Sequence, residues 1–317
     1  MENTLCEELI EKILLRLAVK SLIRFKCVRK SWFSLISDPH FANSHFELSA
    51  RPSHRFLYME AFGSEARSID IDASLHDDSA IVTVIPPFTK TGAESFKIFG
   101  SCRGFVLLRR YSNPNLYIWN PSTGFHIQLS YPKIWKEKFF DSIRKAHLIG
   151  FGYDPSTDDY LIVVLCLNDL VFFSFRTNSW KQFNIPFVHR VSNSRVIFKQ
   201  SGLVFNDAIH WLAKDDIEFV DVIIVFDLIE KNLSRISLPC GRDHVFHDLR
   251  IIGGCLSVCN ETQVWVMTEY KLQSSWIMSD FPIMYTESLQ LIIPLCSAKG
   301  GELVASTHNA ELMKFDF

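Results

Sequence analysis

Gly104-Phe105-Val106-Leu107-Leu108 leads through a short polar stretch to Leu116-Tyr117-Ile118-Trp119, which runs straight into Asn120-Pro121-Ser122-Thr123-Gly124. β-Branched and aromatic residues suit strands, and Asn, Pro, Ser and Gly each favour the backbone of a turn. The stretch therefore predicts two short strands and a tight reversal. The unit recurs. Apolar openings follow at Gly152-Tyr153 before Tyr160-Leu161-Ile162-Val163-Val164, at Gly202-Leu203-Val204-Phe205, at Gly254-Cys255-Leu256-Ser257-Val258 and at Gly301-Glu302-Leu303-Val304, one about every 50 residues. Second apolar runs follow at Val171-Phe172-Phe173-Ser174-Phe175, at Ile223-Ile224-Val225-Phe226-Asp227 and at Val264-Trp265-Val266-Met267. Trp180 and Trp276 place an aromatic in the strand after the turn.

A repeat of that length with several short strands is the mark of a kelch-like β-propeller, in which no blade buries its faces alone and blades stack around an axis. A β-sandwich or an open β-rich domain is the alternative architecture. The last blade is expected to be incomplete, or to be closed by N-terminal strands such as Arg55-Phe56-Leu57-Tyr58-Met59. Residues 66–71 and 80–85 read as strands, and Asp70, Asp72, Asp77 and Asp78 flank a solvated loop. Residues 89–95 read as another loop.

The first 46 residues have a different texture. Leu9, Ile10, Ile13, Leu14 and Leu17 fall on one helical stripe. Thr4 and Glu7 have the spacing of a capping box. A second helix is expected from Lys20-Ser21, using Leu22, Ile23, Phe25, Cys27 and Val28, and a short third one carries Trp32, Phe33, Leu35 and Ile36. Asp38-Pro39 is expected to stop it, and 41–46 to form one more turn. The expected fold is mainly β with this three-helix cluster in front: a helical domain over 1–46 and a β domain over 50–317. So small a cluster shows more apolar surface than it can bury, so it is either a cap on the β domain or a dock for a partner.

The order of residues in the cluster resembles the F-box. Leu5, Glu8 and Leu9 match its opening; Leu15, Arg16, Leu17, Lys20, Ser21 and Leu22 its hinge; Arg24, Phe25, Cys27, Val28, Lys30, Ser31 and Trp32 its third element; and Ile36, Asp38, Pro39 and Phe41 its end. The resemblance implies docking to a Skp-type adaptor and, through it, a cullin ligase core. Its anchors would be Leu5, Glu8, Leu9, Ile13, Leu14, Leu17, Val19, Leu22, Phe25, Val28, Trp32 and Ile36. Two prolines of the family pattern are Cys6 and Ala18 here, which is expected to loosen the entry turn and the hinge. The β region resembles the F-box-associated domain of plant F-box proteins, often labelled F-box/kelch-repeat. The matching stretches include 119–123, 150–160, 176–180, 210–213, 226–228, 254–256, 264–270 and 275–276.

The bulk numbers set the broad class. Apolar residues make up 48% and phenylalanines number 27, enough for a dense core in a chain of 317 residues. A net charge of −2 argues against nucleic acid as the main partner. The start Met1-Glu2-Asn3-Thr4 lacks the basic, apolar character of an export signal, and the longest apolar run, 161–167, is too short to span a membrane. No membrane partner is expected. Location is expected to be cytoplasmic, nuclear or both, with the eight cysteines reduced.

Chemical motifs are weak. Cys240, His244, His247, Cys255 and Cys259 are zinc-ligand types at spacing looser than paired structural sites use. Asp154, Asp158 and Asp159 read better as turn residues than as a cation site. His126 and His210 read as structural. No phosphate-cradling loop or nucleophile elbow is present. No cofactor is expected, and a propeller enzyme is the remote alternative. The expected role is a non-catalytic substrate-receptor subunit that holds an unidentified target protein on the β domain. The nearer alternative is a non-ligase binding module with a degraded F-box.

Overall fold

A computed structural model describes residues 2–48, 55–59, 65–70, 81–88, 96–110, 115–130, 148–166, 169–184, 191–192, 201–215, 220–239, 246, 248–260, 263–279, 293–297, 303–306 and 312–315. Four helices lead: α1 (Glu2–Leu14), α2 (Val19–Phe25), α3 (Lys30–Ser37) and α4 (Pro39–Leu48). Two sequence expectations change here. Helix α1 already runs from Glu2, so Thr4 lies inside it and does not cap it. Cysteine in place of proline at position 6 permits this, since a proline there would exclude Leu5 from the helical region. Asp38-Pro39 does end α3, but it also starts a full fourth helix. The Asp38 carboxylate accepts the His40 amide at 2.7 Å and the Asp38 carbonyl accepts the Ala42 amide at 3.0 Å, so Asp38 is the N-cap and Pro39 the first helical residue.

The rest is β. Four blades follow one another, each an antiparallel sheet in chain order. The first is β4 (Phe96–Cys102), β5 (Phe105–Arg110), β6 (Leu116–Trp119) and β7 (His126–Leu129); the second is β8 (Leu148–Asp154), β9 (Asp159–Cys166), β10 (Asp169–Ser174) and β11 (Ser179–Asn184). The third has a divided inner strand, β12 (Val191–Ser192) and β13 (Leu203–Phe205), both pairing with β14 (Ala208–Asp215), then β15 (Asp221–Asp227) and β16 (Leu233–Ser237). The fourth is β17 (Asp248–Ile252), β18 (Cys255–Cys259), β19 (Val264–Met267) and β20 (Trp276–Ser279). Three-stranded sheets flank the four blades: β1 (Arg55–Met59), β2 (Ala66–Asp70) and β3 (Ile81–Val84) before them, β21 (Ile293–Ser297), β22 (Leu303–Ser306) and β23 (Leu312–Phe315) after them. Arg55–Met59 thus pairs within its own sheet instead of completing the last one. Asp72, Asp77 and Asp78, and residues 89–95, lie outside the described residues.

The core is built between blades. Leu107, Leu116 and Ile118 of the first meet Ile149, Phe151, Ile162 and Val171 of the second. Leu161, Val163 and Phe172 on the opposite side of the second meet Ile209, Trp211 and Ile224 of the third. Leu212, Ile223 and Val225 then meet Leu249, Leu256 and Val258 of the fourth. Each β-strand alternates its side chains between two such layers, which is why the strands read as continuous apolar runs. Indole N–H groups tie consecutive blades as well: Trp180 donates to the Ser130 carbonyl at 3.3 Å, Trp211 to Ile149 at 3.0 Å and Trp276 to Ser237 at 3.2 Å.

The regularly spaced glycines do two different jobs. Gly104 and Gly254 turn the first and fourth blades from inner to second strand at φ 81° and 74°, the left-handed backbone glycine tolerates. Gly152 and Gly202 instead sit in the crowded inner region, Gly152 against the next blade and Gly202 against the neighbouring strand of its own, where packed side chains leave no room for a Cβ. A Cβ on Gly152 would sit 2.6 Å from Leu228, and one on Gly202 would collide with Ile209 and Trp211. The matching turns of the second and third blades use Asp158 at φ 50° and the Asn206-Asp207 pair at φ 45° and 52°.

This topology sorts the two ends of the propeller. Strands alternate in direction, so in each blade the turn between the first and second strands and that between the third and fourth share one end, while the middle turn and the links between blades share the other. Contacts between turns of successive blades agree. Arg103 stacks over the Tyr153 ring, Lys231 pairs with Asp154, and Phe205 meets Tyr270 edge to face.

Candidate functional site

The leading helices close on a small core of Leu14, Leu15, Leu22, Ile36 and Phe41, lined by Ile10, Leu17, Phe25, Trp32 and Leu35. Phe25 and Trp32 meet edge to face at 5.5 Å, and the His45 ring on α4 bonds the Leu17 carbonyl at 2.8 Å, fastening the last helix to the hinge after the first. Other apolar residues are left outside. Leu9 is 57% exposed, Ile13 60%, Val28 64% and Phe33 55%. Leu9 and Ile13 lie one turn apart on α1, while Val28 and Phe33 follow the end of α2 and sit on α3.

The anchors expected from sequence therefore divide. Leu14, Leu22 and Ile36 are packed inside the cluster; Leu17, Val19, Phe25 and Trp32 are half-buried; Glu8, Leu9, Ile13 and Val28 face outward. The side chain of Leu5 lies outside what is described. Phe33 is an outward aromatic that helical periodicity alone did not separate from its neighbours. Only the partition between this small core and the surface reveals it.

Ala18 stands where the family pattern has proline. It sits at the N-cap of α2 with ψ 144° and φ −62°, the φ a proline ring would impose, and its carbonyl accepts the Ser21 and Leu22 amides at 2.9 and 3.1 Å. The hinge keeps its geometry without the ring. Cys27 is exposed.

The joint between the helices and the propeller is organised around Arg103. Arg103 occupies the first turn of the first blade at φ 47°. Its guanidinium bonds Glu47 of α4 at 2.5 Å and Asn43 at 3.3 Å, and lies 3.7 Å above the Tyr153 ring and 4.7 Å from the Phe46 ring. The Tyr153 hydroxyl donates to Asp158 at 2.7 Å, and the Asn43 amide donates to the same oxygen at 3.3 Å. Burial first, then the bond to Asp158, push the Tyr153 phenol up to about 12; the same bond is the main cause that holds the Asp158 carboxyl below its ordinary value. Lysine could not substitute, because only a planar fork both stacks and spans two acceptors. Helix α4 thus seats on the tight-turn end of the first two blades, and the end carrying the inter-blade links faces away from it.

Of the polar groups flagged in the sequence, Asp154, Asp159 and His210 are parts of the frame. Buried Asp154 accepts Ser156 and Thr157 of its own turn and Lys231 of the next blade at 2.6 Å. Burial works to raise its pKa, and those bonds overcome it, holding the carboxyl at about 2. Asp159 bonds the Ser174 hydroxyl and the Arg176 amide. His210 is fully buried, with its ring bonded to the Leu203 carbonyl at 3.3 Å and the Tyr270 hydroxyl at 2.8 Å. Cys255 and Cys259 lie on β18, while Cys240, His244 and His247 fall outside the described residues. Among the described residues no three His, Cys, Asp or Glu gather as a metal site, and no helix is long and apolar enough to cross a membrane.

A helical head with an uncovered apolar face is thus pinned to a β-propeller. The F-box domain family matches residues 3–43, and the F-box associated beta propeller domain family matches 57–305. The chain belongs to the F-box proteins that carry this propeller. It is similar to the F-box/kelch-repeat protein At3g23880 of Arabidopsis thaliana, 30% identical over 85% of this chain and 77% of that one. It also resembles the F-box protein At4g22390, 26% identical over 98% of this chain and 82% of the relative, and the F-box protein CPR1, 24% identical over 99% and 82%, both from the same plant.

Proposed function

We propose that this protein is the substrate-receptor subunit of an SCF-type, cullin–RING ubiquitin ligase. Its outward apolar residues Leu9, Ile13, Val28 and Phe33 dock a Skp-type adaptor, and its propeller holds a target protein. It is non-catalytic: by keeping target lysines near the charged ubiquitin carrier it raises their effective concentration, and transfer happens on the partner subunits. The work is done in the cytoplasm, the nucleus or both. The observation that carries this reading is the uncovered face of the helical head in a chain whose blades otherwise cover one another. The proline-like geometry of Ala18 favours a working F-box over a degraded one.

Reconstitution tests it. Mixed with a Skp-type adaptor, a cullin and its RING subunit, the full chain is expected to elute as one complex. Separate elution of the wild type, with a complex formed only by the Cys6→Pro, Ala18→Pro variant, would instead identify a degraded F-box on a plain binding module.

A further inference from the structure

Four cations among the described residues face a carboxylate. Arg103 has Glu47, Lys231 has Asp154, Arg235 has Asp215, and Arg250 has Asp248. Lys97 and Arg109 break that habit. They are direct cross-strand partners on β4 and β5, a register that sets like charges side by side, where they repel. Both are half-buried. What they share is an aromatic ring: Lys97 Nζ lies 5.2 Å and Arg109 Cζ 5.1 Å from the centroid of fully buried Phe99. A ring face attracts a cation only modestly and cannot neutralise two. No carboxylate meets either group among the described residues. Burial, and then the Arg109 charge, press the lysine down to about 8, as expected of an ammonium whose one charged neighbour has its own sign.

Their position is informative. Phe99 and Leu107 point into the layer between the first and second blades, and Lys97 and Arg109 lie on the same side of the sheet at its upper edge. β4 begins at Phe96 and β5 ends at Arg110, so this edge belongs to the end of the propeller away from Arg103 and α4. A local rule is thus broken on the face that the helical head leaves open, and such breaks are expected at functional or strained sites.

We propose that Lys97 and Arg109, held on Phe99, form an anion-binding pair on the open face, and that it receives a carboxylate or phosphoryl group from an acidic segment of the captured target. The proposal rests on the receptor role given above. Two preset cations on one ring already carry the cost of their mutual repulsion, and an anionic oxygen relieves it on binding. Arginine supplies a planar fork for two oxygens and lysine a compact charge beside it.

The test uses the full chain with its Skp-type adaptor, and labelled oligoglutamate, phosphoserine and oligoglutamine peptides as probes. Wild type is expected to prefer at least one acidic probe over oligoglutamine. The Lys97→Met, Arg109→Gln variant is expected to lose that preference by about tenfold or more. Loss for phosphoserine alone assigns a phosphoryl group; loss for oligoglutamate too assigns anions in general. Because the pair is repulsive, Lys97→Met should leave the melting temperature unchanged or raise it, whereas a purely structural lysine would lower it. Equal binding of all three probes by wild type, or an unaltered preference in the variant, overturns the proposal. Adaptor capture, read in the same samples, reports separately on the receptor role.

Discussion

The helical head and the propeller solve the same burial problem in opposite ways. In the propeller each sheet has two apolar sides, and each side is taken by the next sheet: Leu107 by Phe151, Leu161 by Trp211, Ile223 by Leu256. In the head, five buried residues close the core, while Leu9, Ile13, Val28 and Phe33 stay more than half exposed. The first region is complete in itself. The second keeps an exposed apolar face, which the proposed receptor role assigns to the adaptor.

Breaking the propeller's mutual coverage should have the largest effect. Trp211→Ala empties the layer between the second and third blades and frees the Ile149 carbonyl, so denaturant unfolding should show a loss of about 4 kcal/mol. The buried His210 gives a pH signature of the same region. Burial, against the pull of its bond to the Leu203 carbonyl, lowers its pKa from 6.5 to about 4. The unfolded chain therefore takes the proton first as pH falls. Stability is full above about pH 6.5 and declines toward pH 4, by on the order of 3 kcal/mol. His210→Gln should flatten that part of the profile, and an unchanged slope would place its origin elsewhere.

The joint between the regions comes next. Arg103→Ala removes the stack on Tyr153 and the bonds to α4, and should lower hydrogen-exchange protection of α4 by about 1–2 kcal/mol without unfolding the blades. Arg103→Lys should recover little of it. The smallest effect, and of opposite sign, belongs to the hinge: with φ already at −62°, Ala18→Pro should stabilise the head by about 0.5–1 kcal/mol in thermal unfolding.

The sequence revealed what local pattern controls. The second and third strands of the blades, such as Phe105–Arg110 and Leu116–Trp119, are apolar runs bounded by turn formers, and they read directly. The inner strand Phe96–Cys102 mixes lysine, glycine and serine among its apolar residues and is recognisable only once its neighbours surround it. The glycine period concealed two jobs, because a left-handed turn and a close approach ask for the same residue. Helix α4 was hidden by a proline that both ends one helix and begins another. The stripe on α1 was legible, but which of its residues face outward was not: Leu14 and Ile13 are neighbours in sequence and opposites in burial. The Arg103 joint and the Lys97–Arg109 pair depend on long-range contacts and on strand register, for which a single sequence carries no mark.

The most direct test of that division is the affinity of the full chain for a Skp-type adaptor, measured by calorimetry for wild type and for the Leu9→Asp, Ile13→Asp variant, alongside the melting temperature of each. The wild type should bind, and the variant should keep its melting temperature while losing affinity by about a hundredfold or more. A variant that binds as tightly as wild type, or that loses its fold along with its binding, would contradict the claim that this face exists for a partner.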